Sequence, residues 1–146
     1  MNESMISREC ILQLIHTRMA SRQAMQRMLK ETGAGITFEM MQIMSCLWGE
    51  QGISQQTLAE RTAKDKACLT NLMNNLERKG YVCRREDPND RRNKLVYLTD
   101  EGERFRQWLA PHLKQHYTLL EEKLGTDKLE ALNDLLKELK HVLENC

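Results

Sequence analysis

Between Asp65 and Asn75 the residues Asp-Lys-Ala-Cys-Leu-Thr-Asn-Leu-Met-Asn-Asn place their apolar members on one face of a helix and leave Lys66, Ala67, Thr70, Asn71 and Asn74 near the opposite one. These residue types address base edges: an asparagine carboxamide pairs with adenine, alanine and the threonine methyl meet a thymine methyl, and lysine takes a guanine or a phosphate. Further along, Asp87-Pro88-Asn89-Asp90-Arg91-Arg92-Asn93 sets two arginines at the tip of a predicted hairpin. A protruding guanidinium there suits the negative potential of a narrow minor groove. With Ser54 and Gln55, which open the preceding helix, the candidate DNA-contacting set is Ser54, Gln55, Lys66, Ala67, Thr70, Asn71, Asn74, Asp90, Arg91 and Arg92. Taken singly, each feature has an ordinary reading, a solvated helix face or a solvated turn with an Asp–Arg pair. Their adjacency favours a nucleic-acid face.

Charge supports that placement. The chain carries only +1 overall, but Ser54 to Leu98 holds ten Lys/Arg against six Asp/Glu, whereas Thr99 to Cys146 holds seven against ten. A polyanion partner would therefore meet the middle third.

Other chemistries are poorly supplied. No motif brings together a nucleophile, a base and an oxyanion site, or a pair of carboxylates in a cleft, so an enzyme is not expected. His112 and His116 stand at i, i+4, a spacing that can grip zinc if a carboxylate or thiol joins them; without a complete ligand set they read as surface or interface histidines. Neither metal nor cofactor is expected. The five cysteines, Cys10, Cys46, Cys68, Cys83 and Cys146, are odd in number and lack C-x-x-C spacing, which suits reduced thiols in a cytosol. Most read as small buried hydrophobes, with Cys10 and Cys68 as redox candidates. Met1-Asn2-Glu3-Ser4 opens no basic-then-apolar leader, and no apolar run is long enough to span a bilayer, so a cytoplasmic protein away from membranes is expected.

The elements that must position these residues follow from periodicity. A chain of 146 residues, 40% hydrophobic and 29% charged with 7 Gly and 2 Pro, suits one helix-rich globular domain. Ser7 to Lys30 repeats Ile11, Leu12, Ile15, Met19, Met25, Met28 and Leu29 at three and four and ends at Gly33-Ala34-Gly35. Thr37 caps a second, largely buried helix carrying Phe38, Met41, Ile43, Met44, Leu47 and Trp48; Ser54 caps a short third; Asp65 caps a fourth running to Lys79, with Gly80 as its stop. Residues 81–85 and 94–98 read as strands around a polar turn from Glu86 to Asn93, a wing. Thr99 caps a long helix expected to bend near Pro111, and after Gly125 a last helix carries Leu129, Leu132, Leu135, Leu136, Leu139, Val142 and Leu143. The apolar stripes of the first and last helices, roughly 7–31 and 126–144, exceed what a small winged lobe can cover, which predicts a two-fold homodimer. The expected fold is mainly α with a small β-hairpin: a winged helix-turn-helix lobe over 53–98, with its reading helix at 65–79 and wing at 81–98, plus N- and C-terminal dimerisation helices.

Several separated motifs carry a family resemblance: Gly52-Ile53-Ser54-Gln55-Gln56-Thr57-Leu58-Ala59-Glu60-Arg61, Leu69-Thr70, Leu76-Glu77-Arg78-Lys79-Gly80-Tyr81-Val82, Asp87-Pro88-Asn89-Asp90-Arg91-Arg92 and Leu98-Thr99-Asp100-Glu101-Gly102. In this order and spacing, from about Ile36 to Arg106, the chain resembles the MarR family. The resemblance implies an obligate dimer, an inverted-repeat operator in double-stranded DNA, Arg92 in the minor groove braced by Asp90, and repression relieved by a small lipophilic effector. By analogy the effector cleft is lined by His16, Met19, Met40, Met44, Trp48 and Trp108, although Met and Trp at helical spacing equally describe plain core. Peroxide-sensing relatives carry their cysteine nearer Gln13 than Cys10, and zinc-sensing relatives have a histidine where Gln42 stands. Ala67 and Cys68 replace the small hydroxyl residues common after the cap, which leaves the operator sequence open. The alternatives are a thiol-based redox regulator of the same fold and a winged-helix module that binds protein.

Overall fold

The computed structural model describes residues 5–146. Met1, Asn2, Glu3 and Ser4, on which the expectation of no leader partly rests, lie outside the described residues. The elements run α1 (Ile6–Thr32), α2 (Phe38–Gly49), β1 (Ile53–Ser54), α3 (Gln55–Thr62), α4 (Lys66–Arg78), β2 (Val82–Asp87), β3 (Asp90–Leu98), α5 (Asp100–Leu124) and α6 (Thr126–Glu144). The protein is mainly helical with a small antiparallel sheet, as its sequence predicts. No helix among the described residues is long and apolar enough to cross a membrane.

Helix starts sit where local chemistry puts them. Thr37 Oγ1 accepts from the Met40 N–H at 3.2 Å, Ser54 Oγ from Thr57 at 3.1 Å, Asp65 Oδ1 from Cys68 at 2.7 Å and Thr99 Oγ1 from Gly102 at 3.0 Å. Each oxygen satisfies an N–H that the first helical turn leaves without an acceptor.

Contacts divide the chain into two units, one ending at Leu109 and one beginning at Ala110. The core of the first is closed by Ile43, Met44 and Leu47 from α2, Leu58 from α3, Leu69, Met73 and Leu76 from α4, and Val82 and Val96 from the sheet, all essentially inaccessible to solvent. On α4 the spacing of Leu69, Met73 and Leu76 turns one stripe inward and fixes which face is left outside. The start of α5 is locked beneath the wing: a Cβ at Gly102 would overlap the Tyr81 carbonyl oxygen, so only glycine fits there.

The second unit consists of the remainder of α5 and α6. No residue from Ala110 onward is buried, and α6 leaves Leu132, Leu135, Leu136, Val142 and Leu143 exposed. In the first unit α1 likewise exposes Ile6, Ile11, Leu12, Ile15 and Met19.

Two details correct the sequence reading. The sheet has three strands in the order β1-β3-β2, because Ile53 and Ser54 pair with Val96 and Leu95; two residues are too few to leave an alternating pattern. The wing turn is not an eight-residue loop: Asp87 pairs with Asp90 across Pro88-Asn89, with the Asn89 N–H donating to Asp87 Oδ1 at 2.9 Å. Proline after aspartate presets this tight turn. Helix α5 continues through Pro111 to Leu124, the extent that the sequence predicts.

Candidate nucleic-acid interface

The candidate face is assembled from α3, α4 and the wing. Helices α3 and α4 are joined by Ala63-Lys64-Asp65, where Ala63 adopts a left-handed φ of 52° and the Lys64 N–H donates to the Ala59 carbonyl at 3.0 Å. Lys64 Nζ donates to Gln42 Oε1 at 3.1 Å, tying this turn to α2. With the apolar stripe of α4 turned inward, Lys66, Ala67, Cys68, Asn71 and Asn74 are exposed and Thr70 is half-buried. The Thr70 hydroxyl donates to the Lys66 carbonyl at 2.8 Å.

The wing is buttressed on this helix. Arg84 of β2 donates to Glu77 Oε2 at 2.6 Å and to Asn74 Oδ1 at 2.8 Å, so the Asn74 carbonyl is already engaged. At the far end Asp87 pairs with Asp90 but Glu86 pairs with Lys94. One step along β2 thus spans four along β3, and Arg91, Arg92 and Asn93 bulge out of the ladder. The arginines are therefore carried on this excursion beside the turn rather than at the tip. Asp90 Oδ1 accepts from the Arg92 N–H at 3.1 Å and from its Nε at 3.4 Å, while the Arg92 side chain stays 93% exposed.

A groove of about 470 Å³ lies between the starts of α3 and α4 and this excursion, lined by Gln55, Gln56, Lys66, Arg92, Asn93 and Lys94 with Leu69 beneath. It gathers Gln55, Lys66 and Arg92 from three elements. Gln55 Oε1 is buried with no partner among the described residues. Ser54, by contrast, is spent on its own helix: it caps α3 and donates to Thr57 Oγ1 at 2.9 Å. Gln56, Asn93 and Lys94 line the groove yet escape the sequence reading, since Lys94 scans as an ordinary strand residue.

The six residues expected to line an effector cleft lie in different settings. Met40 and Met44 are core residues, because their i, i+4 spacing faces the interior of the first unit. Trp48 is half-buried, its Nε1 without a hydrogen-bond partner among the described residues; Trp108 is 43% exposed, its ring tilted against Phe105; His16 is exposed. Of the six expected residues only Met19 lines the cavity of about 420 Å³ against α1 and α2, together with Ile15, Arg18, Arg22, Phe38, Glu39, Gln42 and Lys64. Arg22 Nε donates to Glu39 Oε1 at 2.8 Å and its guanidinium lies 5.8 Å from the Phe38 ring centre. Burial alone would raise the Glu39 carboxyl, but the Arg22 hydrogen bond, a backbone N–H, and the charges of Arg22 and Lys64 outweigh it and hold the group below its ordinary 4.5. At the wing base Tyr81 stacks on Phe105, and burial with the nearby Glu101 charge raises its phenol. Cys10 and Cys68 are both exposed; His112 and His116 lie in the second unit, with His116 edge-on to Tyr117.

A helix pair with an exposed polar second helix, followed by a buttressed arginine-bearing hairpin, defines a winged helix-turn-helix DNA-binding protein. Comparisons place it more closely. The MarR family profile matches residues 36–94. The HTH-type transcriptional regulator FarR of Neisseria gonorrhoeae is 32% identical over 109 residues, covering 75% of each chain. The crystal structure of the transcriptional regulator PA4135 matches with a TM-score of 0.82 at 26% identity, over 97% of this chain and 98% of that one. That of NadR in complex with 4-hydroxyphenylacetate matches at 0.74 and 29%, over 95% and 94%. The chain belongs to the MarR family of transcriptional regulators and is not an enzyme.

Proposed function

We propose that this regulator works as a cytoplasmic homodimer that reads an inverted-repeat operator in double-stranded DNA and represses until a small aromatic acid releases it. The observation that carries the reading is a basic groove lined by Lys66 of α4 and by Arg92 and Lys94 of the wing, next to an α4 face on which Ala67 and Asn71 are exposed. In this reading α4 enters the major groove and Arg92, braced by Asp90, enters the flanking minor groove. The apolar faces of α1 and α6 are covered by the partner chain, which sets two reading helices on one side of a two-fold axis. This effector carries a charge that the small lipophilic one implied by the family resemblance does not specify. Around the second cavity, Arg18, Arg22 and Lys64 face one carboxylate, with Ile15, Met19 and Phe38 offering apolar contact; a carboxylate on a single ring satisfies both. The aromatic acid bound to NadR supports this class.

Selection from a random duplex pool with purified, reduced protein tests the proposal. Enrichment of an inverted repeat with half-site centres about 10 base pairs apart is expected, and 4-hydroxyphenylacetate or a related ring acid should release the selected duplex. Failure to enrich any sequence, with DNA binding no stronger than for an unrelated basic protein, would favour the protein-binding alternative. A second, thiol-based reading rests on the exposure of Cys68 on the outer face of α4, with Cys10 exposed on α1. Release by peroxide, reversed by dithiothreitol and lost in Cys68→Ala, would select it.

A further inference from the structure

We infer that Lys94 clamps a DNA backbone phosphate at the mouth of the groove between the helices and the wing, a contact separate from base reading. The inference rests on the DNA-binding reading above and adds a positioning residue to it.

Lys94 is where the β3 ladder resumes after the excursion of Arg91, Arg92 and Asn93, directly opposite Glu86. Its ammonium lies 3.6 Å from Glu86 Oε1, and both side chains are about half exposed, so the pair is weak and exchangeable. The groove it lines also receives Lys66 from α4 and Arg92 from the wing. The two wing cations stand differently: the Arg92 side chain is 93% exposed and projects, whereas that of Lys94 is 47% exposed and recessed. A duplex meets a recessed cation with its outermost atoms, the phosphate oxygens, and the compact ammonium of lysine suits a point charge rather than a base edge. A phosphate arriving at the mouth of the groove can take the ammonium over from Glu86. The exchange leaves the charge of Lys94 paired throughout, with phosphate replacing carboxylate.

The test compares full-length protein with Lys94→Gln, Glu86→Gln and Arg92→Ala on two unrelated duplexes of equal length, each titrated between 50 and 200 mM salt, with thermal melting to confirm folding. Lys94→Gln should weaken both duplexes by the same factor and flatten the salt slope by about one, so that the affinity lost across this salt range shrinks about 3.5-fold. Glu86→Gln, which frees the ammonium, should tighten both. An unchanged slope for Lys94→Gln beside weakened binding by Arg92→Ala would overturn the clamp while leaving the DNA reading intact. A loss confined to one duplex would make Lys94 a base reader and overturn it equally. If Arg92→Ala and Lys94→Gln both bind like the parent, the underlying DNA reading falls as well.

Discussion

Asn71 and Asn74 stand one turn apart on the outer face of α4, yet the structure makes them chemically unequal. Asn74 gives its carbonyl to Arg84, whereas Asn71 has no side-chain partner among the described residues and keeps its whole carboxamide for a base. Asn71→Ala should therefore reduce preference for a selected operator by about 1–3 kcal/mol while leaving affinity for unrelated duplex nearly unchanged, as read by competition binding. An equal loss on every sequence would reassign it to the backbone. Glu39 carries a pH signature at the same scale. Its carboxyl is held below 4.5, so the stabilisation it gives is complete above that value and disappears as pH falls through the lowered one. Glu39→Gln should melt below the parent at pH 7, by less than about 1 kcal/mol because the pair is partly exposed, and the two curves should converge as the pH is lowered into the acid range. A constant gap across that range would remove the linkage. The outer α4 residues were legible in the sequence because helical periodicity alone fixes their face. The cavity was not, since Arg18, Arg22 and Lys64 are separated in sequence and each resembles an ordinary solvated charge.

At the scale of elements, the features set by neighbouring residues were the readable ones. Thr37, Ser54, Asp65 and Thr99 cap their helices within three residues of themselves, and no distant contact is needed to recognise them. The third strand and the β3 excursion depend on pairing between distant segments, Ile53 with Val96 and Glu86 with Lys94, and leave no local periodicity. The turn between α3 and α4 holds a residue that local rules would not choose. Ala63 occupies the left-handed region, where its Cβ crowds the backbone and glycine would not. Ala63→Gly should raise stability by about 1 kcal/mol in urea melts without altering DNA affinity, because Ala63 caps α3 and lies outside the DNA-facing groove. A destabilised variant would mean that chain entropy outweighs the relieved strain there.

For the whole molecule, the decisive imbalance is apolar surface rather than charge. The +1 net charge conceals a basic middle and an acidic C-terminal third, which confines the polyanion to one region. Nothing comparable disposes of α6, where Leu132, Leu135, Leu136, Val142 and Leu143 line one amphipathic helix that buries no residue within its own chain. An apolar stripe of that length marks an interaction surface, and in the proposed homodimer a second copy presenting the same stripe would supply a self-complementary cover. Two-fold symmetry doubles any insult at such a face, since each substitution enters the interface twice. Leu136→Asp should consequently shift the monomer–dimer equilibrium by roughly two orders of magnitude or more, the cost of an unpaired carboxylate at a closed apolar contact. Sedimentation velocity at micromolar concentration would show a monomer that keeps its helical circular dichroism. That monomer should lose the inverted repeat while retaining weak, salt-sensitive binding to a half-site, because α4 and the wing are supported by the core of the first unit alone. An intact dimer in this variant would remove α6 from the interface and leave the exposed face of α1 to carry it.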